Sequence, residues 1–102
     1  MDKSSMIESD FLQLTEKTFE EAEAFADANY PNSDSYREGN VLTIELEDGP
    51  SVVINRQEAM QEMWLAAPSG GFHFKHDADG SLRCTRDGVL FETYLQRALE
   101  GR

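Results

Sequence analysis

The stretch VVINRQEAMQEMWLAAPSGGFHF, residues 52–74, decides the fold because it carries successive strand patterns around the chain's only tryptophan. Apolar and polar side chains alternate in it, which is the period of a strand with one buried face. By this alternation Met63 and Leu65 share one face, and Trp64 falls on the other face with Glu62. We therefore predict that Trp64 is exposed on the solvent face of a sheet.

The polar run Asn55, Arg56 and Gln57 ends the preceding strand and is predicted to extend the same solvent face. An amphipathic aromatic ringed by hydrogen-bonding groups is typical of a protein-contact patch. The alternative is a tryptophan half-covered by its neighbours on an open sheet, because single exposed hydrophobic side chains are common. The pattern leaves both interpretations open.

Two amphipathic helices bracket the strands. Apolar residues recur at helical spacing over residues 10–28, with Ser9 as the predicted N-cap, and again over residues 91–99. Between them, strands separated by short turns are predicted at residues 41–47, 51–55, 61–66, 72–75 and 82–85. The order predicts a single α+β domain over residues 1–102. It is a two-layer sandwich with both helices on one face of an antiparallel five- to six-stranded sheet.

The net charge of -11 is concentrated in the first half of the chain. Residues 1–49 hold thirteen acidic and three basic side chains, whereas residues 50–102 hold seven and six. Such a field repels nucleic acid and anionic membranes, so neither is an expected partner. The lone Cys84 excludes an internal disulfide, and the opening residues contain no apolar signal core. We therefore expect a cytoplasmic protein.

Four acidic residues of the first helix are predicted to fall within an arc of roughly 60°, nearly opposite the apolar face of the helix. They are Glu16, Glu20, Glu23 and Asp27, and we call them the acidic stripe. Carboxylates one turn apart can share a hard, labile cation, held weakly and with little selectivity. Asp34, Glu38 and Glu45 are candidates to extend the stripe if the first strand lies nearest this helix. The alternative is an ordinary solvated helix face.

The sequence contains no nucleophile elbow, phosphate loop, dinucleotide fingerprint or metalloprotease helix, and we predict no catalytic residues. His73 and His76 are three apart on a predicted strand and therefore project to opposite faces, which disfavours shared metal binding. The segment 77–80 is read as a hairpin turn, because a calcium loop aligned on Gly80 would place Arg86 where a carboxylate is needed.

Three motifs resemble the bacterial form of the frataxin family: INRQ at residues 54–57, MWLA at 63–66 and PSGGFHF at 68–74. The acidic first half and the order of elements also match. The resemblance covers residues 10–99 and implies a helix–sheet–helix sandwich that binds iron, Fe²⁺ or Fe³⁺, on an acidic ridge. The iron is expected to bind weakly, and other divalent or trivalent cations are expected to substitute for it.

The resemblance further implies a regulator or iron supplier of iron-sulfur cluster assembly that docks on the cysteine desulfurase and scaffold protein. It maps the metal ridge to Glu16, Glu20, Glu23, Asp27, Asp34 and Glu38, and the partner-binding face to Asn55, Arg56, Gln57 and Trp64. The ridge is thinner than is typical of the family, because Ala24 and Ala28 follow Glu23 and Asp27. Arg37 also stands where a further acid would be typical.

We therefore expect a non-enzymatic protein that modulates cluster assembly, and a monomer, with an iron-dependent oligomer as the alternative. Two other functions remain open. One is a metal-independent acidic adaptor that binds a basic protein surface. The other is a ferroxidase, which calls for a buried mixed carboxylate–histidine site that the sequence does not reveal.

Overall fold

The fold is described from a computed structural model over residues 6–101. The first five residues, which belong to the segment predicted to lack a signal core, lie outside this range. Two helices flank six strands. In chain order the elements are α1 (Glu8–Asn29), β1 (Asp34–Glu38), β2 (Val41–Glu45), β3 (Ser51–Gln57), β4 (Glu62–Ala67), β5 (Gly70–His76), β6 (Leu82–Cys84) and α2 (Phe91–Leu99).

The strands form one antiparallel sheet in sequence order, β1 to β6, so that each strand pairs with the next along the chain. Short connections make this possible, because antiparallel neighbours need only a tight turn between them. At 77–80 the turn is closed by the Asp77 amide donating to Ser81 and the Gly80 amide donating to Asp77. The predicted two-layer α+β sandwich is confirmed, with six strands, and residues 77–80 form the predicted hairpin turn.

The core lies between the helices and one face of the sheet. Each central strand contributes its alternate apolar residues, and each helix contributes the residues of one stripe. The largest fully buried side chains are Phe11, Thr15, Phe19, Leu42, Ile44, Val52, Ile54, Met63, Leu65, Phe74 and Phe91. Cys84 is also buried, as a small core residue.

The start of α1 differs from the prediction. The helix begins at Glu8, its N-cap position is Ile7, and the Ile7 side chain makes no capping hydrogen bond. Ser9 therefore lies inside the first turn, and its prediction as the N-cap is wrong. The acidic Glu8 and Asp10 in the first turn compensate in part, because negative charge is favoured at a helix N-terminus.

The second face of the sheet is covered by no helix, and we call it the open face. It carries the outward residues of every strand, including a cross-strand row formed by Val41, Asn55, Trp64 and His73 in direct register. Within residues 6–101, no helix has the length and apolar character needed to cross a membrane.

The first prediction concerns Phe19, which is fully buried on α1 and lies under the Arg37 guanidinium, 3.8 Å from the ring centroid. Phe19→Ala should lower the free energy of unfolding by about 3 to 5 kcal/mol, because it leaves a cavity between α1 and the sheet. Phe19→Leu should cost about 1 kcal/mol, because leucine refills most of that volume. Urea denaturation at pH 7 measures both. Equal, small losses in the two variants would contradict the packing described here.

Candidate metal ridge and contact face

The acidic stripe runs along the flank of α1 that lies beside β1. Glu20 and Asp27 are exposed and Glu23 is half-buried, whereas the residues that face the core are Phe19, Ala22 and Ala26. The stripe therefore borders the buried face of α1. The prediction from apolar periodicity, that the stripe lies nearly opposite this face, is wrong. Neighbouring carboxylates of the stripe are one helical turn apart, close enough to repel one another and to attract a shared cation.

Glu16 is the exception in the stripe, because two arginines hold its carboxylate. Arg37 of β1 donates to both oxygens, at 3.1 and 2.5 Å, and Arg56 of β3 donates to Oε1 at 2.9 Å. The hydrogen bonds from Arg37 lower the pKa of Glu16, partial burial opposes that shift, and Arg56 lowers the pKa further. Glu16 therefore ties α1 to the sheet, and the unpaired part of the stripe begins at Glu20.

Arg56 does not lie on the open face. It alternates in phase with Val52 and Ile54 and so turns toward α1, where its side chain is only 10% exposed. Its guanidinium also donates to the Thr15 hydroxyl at 3.2 Å and to Asn40 Oδ1 at 2.8 Å. The prediction that Arg56 extends the open-face patch is wrong, because strand alternation at the end of β3 places its side chain on the helix side.

Asp34 and Glu38 are both exposed on β1, but they alternate with Ser35 and Arg37, which point toward α1. Their side chains therefore project on the side of the open face and not toward the helix. There Tyr36 lies between them and donates its hydroxyl to Glu45 of β2 at 3.0 Å. This bond raises the pKa of Tyr36. The six predicted ridge carboxylates are thus divided between the flank of α1 and the outer edge of the sheet.

Within residues 6–101, no three histidine, cysteine, aspartate or glutamate side chains converge as a group that could hold a metal ion. This arrangement does not fit a closed coordination cage. It fits a hard cation that keeps most of its water and is attracted by successive exposed carboxylates.

Trp64 lies on the open face, as predicted, but it is half-buried and not exposed. Its indole stacks on the imidazole of His73, with the centroids 4.3 Å apart and the planes 7° from parallel. Its Nε1–H donates to Glu62 Oε1 at 2.7 Å. The prediction of an exposed tryptophan is therefore wrong in degree, because neighbours on β4 and β5 cover part of the ring.

Asn55 and Gln57 share the open face with Trp64. Asn55 is directly opposite Trp64 across the β3–β4 ladder, and Gln57 is opposite Glu62. The structure thus brings three of the four predicted partner-binding residues together and adds Glu62 and His73, which sequence reasoning did not include. The i, i+2 spacing of Glu62 and Trp64 could have indicated a contact, but the position of His73 depended on the β4–β5 register.

The two histidines lie on opposite faces of β5, as predicted. His73 is exposed beside Trp64, whereas His76 turns toward α1 and meets Phe11 edge to face at 6.1 Å. Burial lowers the pKa of His76. They cannot ligate one ion together, which leaves oxygen ligands on the acidic surfaces as the metal-binding groups to consider.

The architecture is shared with solved frataxins. Frataxin from Psychromonas ingrahamii superposes with a TM-score of 0.84 at 29% identity, covering 94% of this chain and 90% of that one. A trimeric yeast frataxin from Saccharomyces cerevisiae, complexed with ferrous, gives a TM-score of 0.63 at 27% identity, covering 99% and 88%. A helix-flanked antiparallel meander of this kind defines the frataxin class of fold.

The family model of the frataxin-like domain matches residues 4–102, and this chain belongs to that family. The iron-sulfur cluster assembly protein CyaY of Vibrio cholerae is 42% identical over 92 residues, 90% of this chain and 88% of that protein. CyaY of Neisseria meningitidis serogroup B is 44% identical over 94 residues, 92% of this chain and 87% of that protein. The resemblance inferred from the INRQ, MWLA and PSGGFHF motifs is confirmed.

The second prediction concerns the Glu16 clamp, the pair of salt bridges that Glu16 forms with Arg37 and Arg56. Because its folded-state pKa lies below the ordinary value of 4.5, the Glu16 carboxylate stabilises the fold above that value. The contribution is lost as the pH falls through the lower, folded-state pKa. Glu16→Gln should therefore lower the free energy of unfolding at pH 7 by about 1 kcal/mol or less, since the side chain is 45% exposed.

The difference from the unmodified protein should shrink as denaturation is repeated from pH 7 to below pH 4.5. Glu21→Gln, an exposed change on the same helix, is the charge-matched control and should not lower stability at pH 7. A Glu16→Gln deficit that stays constant across this range would mean that the carboxylate charge is not the stabilising feature.

Proposed function

We propose that this protein takes part in iron-sulfur cluster assembly through a docking patch around Trp64 and through exposed carboxylates of α1 and β1. The open face docks on the complex of cysteine desulfurase and scaffold protein, and the acidic surfaces bind iron weakly. Membership of the frataxin-like family and the cluster-assembly role named for its CyaY relatives support the pathway. The observation that carries the docking proposal is the indole of Trp64, held in a fixed arrangement on a sheet face that no helix covers.

The composition of the open face supports a protein partner. Trp64 supplies a partly covered apolar centre, and Asn55 and Gln57 supply amide groups beside it. An aromatic anchor within a polar rim is the usual anatomy of a binding hot spot. The side chain of Arg56 is held beneath this layer by Glu16, so its proposed role is to fix the end of β3 and not to contact the partner.

Iron is proposed to bind along Glu20, Glu23 and Asp27, with Asp34 and Glu38 forming a second acidic group across the edge strand. Separated, exposed carboxylates favour an outer-sphere or partly hydrated cation with low affinity. The ferrous complex of trimeric yeast frataxin is consistent with iron as the cation. The protein is proposed to deliver or sense iron and to modulate assembly, without catalysing a reaction of its own. We propose that it acts in the cytoplasm, as a monomer in the absence of iron load.

A second function, a metal-independent adaptor, is favoured by one observation: no three metal-ligating side chains converge among residues 6–101. In that case the same carboxylates would bind basic side chains of a protein partner. Binding of the desulfurase–scaffold complex with and without a chelator separates the two functions. Equal affinity under both conditions favours the adaptor.

The third prediction tests the cation surface. Changing Glu20, Glu23 and Asp27 together to Gln, Gln and Asn should weaken Fe²⁺ or Co²⁺ binding, because the substitutions remove three neighbouring charges. Stability should be unchanged or slightly higher, since like charges one turn apart repel by a few tenths of a kcal/mol per pair. The measurement is an NMR titration of backbone amides under anaerobic conditions.

The matched control removes the same charge elsewhere, by changing Glu8, Glu21 and Glu92 to Gln. All three are exposed and none belongs to the stripe. Cation-induced shifts that persist in the stripe variant, or that disappear equally in the control, would place the cation elsewhere or reduce it to a net-charge effect.

The fourth prediction tests the contact face. Trp64→Ala should lower affinity for the desulfurase–scaffold complex by about 2 kcal/mol or more, as expected for a central aromatic anchor. Its cost in unfolding free energy should be smaller, about 1 to 2 kcal/mol, because the ring is only half-buried. Calorimetric binding and urea denaturation measure the two quantities. Glu92→Ala, on the helix layer, is the control. Undiminished affinity of Trp64→Ala would remove the docking proposal.

A further inference from the structure

Glu62 is buried on a face that is otherwise open. Its relative exposure is 5%, and only Thr15 and Glu62 are buried polar residues in the part of the chain that the structure describes. Thr15 satisfies its hydroxyl within α1 by donating to the Phe11 carbonyl. A carboxylate taken out of water is costly unless donors compensate it, so the partners of Glu62 decide what it does.

The side-chain rings of Trp64 and His73 lie beside the Glu62 carboxylate on the open face. Oε1 accepts the Trp64 indole N–H at 2.7 Å, and His73 Nδ1 lies 3.4 Å from the same oxygen. The two rings are stacked on each other. Stacking fixes the plane of the indole but is compatible with two orientations related by a half-turn about the Cβ–Cγ bond. The bond to Glu62 fixes the direction of the N–H, so the two contacts together define one orientation.

We propose that Glu62 is a positioning residue for the contact face, and that it determines what kind of group covers Trp64. The indole has one donor and no acceptor, and that donor is already bound by Glu62. The partner therefore contacts the carbon surface of the indole and does not bind its N–H with a hydrogen-bond acceptor. This inference rests on the proposed docking through the open face.

Positioning also affects affinity. A side chain that is already fixed loses less conformational freedom on binding, and immobilising one side chain accounts for about 3- to 10-fold in affinity. Glu62 would contribute this factor without touching the partner.

A spectroscopic experiment on the isolated protein tests the geometry. Trp64 is the chain's only tryptophan, so a single indole N–H resonance and all of the indole fluorescence report on this site. Glu62→Gln keeps an acceptor oxygen and should retain the bound N–H resonance and low acrylamide quenching. Glu62→Met removes the acceptor and should move the resonance toward that of a free indole and increase quenching. An unchanged resonance in Glu62→Met would overturn the assignment.

A binding cycle with the desulfurase–scaffold complex tests the consequence. Glu62→Met should weaken binding about 3- to 10-fold, and Glu62→Gln should restore most of that loss. Trp64→Phe keeps a carbon surface but lacks the N–H, so adding Glu62→Met to Trp64→Phe should cause no further loss. Independent, multiplying losses would show that Glu62 does not act through the indole and would overturn the proposal.

Different results would contradict the proposed docking through the open face and the proposed positioning role of Glu62. If Trp64→Ala binds the complex as tightly as the unmodified protein, the open face is not the docking surface and the proposed function fails. If Trp64→Ala weakens binding but Glu62→Met leaves affinity unchanged, docking stands and the positioning role of Glu62 is wrong.

Discussion

Two helices cover only one face of the six-stranded sheet, and this one-sided burial is the constraint on which the rest of the molecule depends. The covered face provides the hydrophobic core and the stability. The open face does not contribute to this core, so its strand positions can carry polar and aromatic groups. The alternation of β3 buries Val52 and Ile54 and places Asn55 on the open face. There Asn55 lies directly opposite Trp64 of β4.

Charge is arranged by the same two-layer geometry. The acidic first half of the chain folds into α1 and the neighbouring strands β1 and β2, so the acidic stripe and the carboxylates of β1 lie near the same edge of the sheet. Arg37 and Arg56 pair with the negative charge of Glu16 and couple α1 to the sheet. The clamp therefore has a structural role, whereas the remaining stripe stays available to cations.

The periodicity of the sequence was sufficient to predict both helices, the strands β2 to β6 and the face on which Trp64 lies, because one-sided burial imposes a clear alternation. It did not predict the edge strand β1, whose residues DSYRE include no aliphatic side chain to mark a buried face. The pattern left the half-burial of Trp64 as one of two open interpretations, because the choice depends on stacking on His73 across the β4–β5 ladder. Arg56 was misplaced because the alternation of Val52 and Ile54 was not continued to the end of the strand, and the Glu16 carboxylate that binds Arg56 lies forty residues earlier. Side-chain pairs that are distant in sequence leave no local pattern.

We propose that the open face, and not the helix layer, meets the assembly machinery. NMR cross-saturation from the desulfurase–scaffold complex to the ¹⁵N-labelled protein tests this most directly, because it marks the contacted surface without any substitution. If the open face is the docking surface, saturation is transferred to the Trp64 indole and to outward residues of β3, β4 and β5, and α2 is unaffected. Transfer concentrated on α2 and the groove between the helices, with an unaffected Trp64 indole, would contradict it.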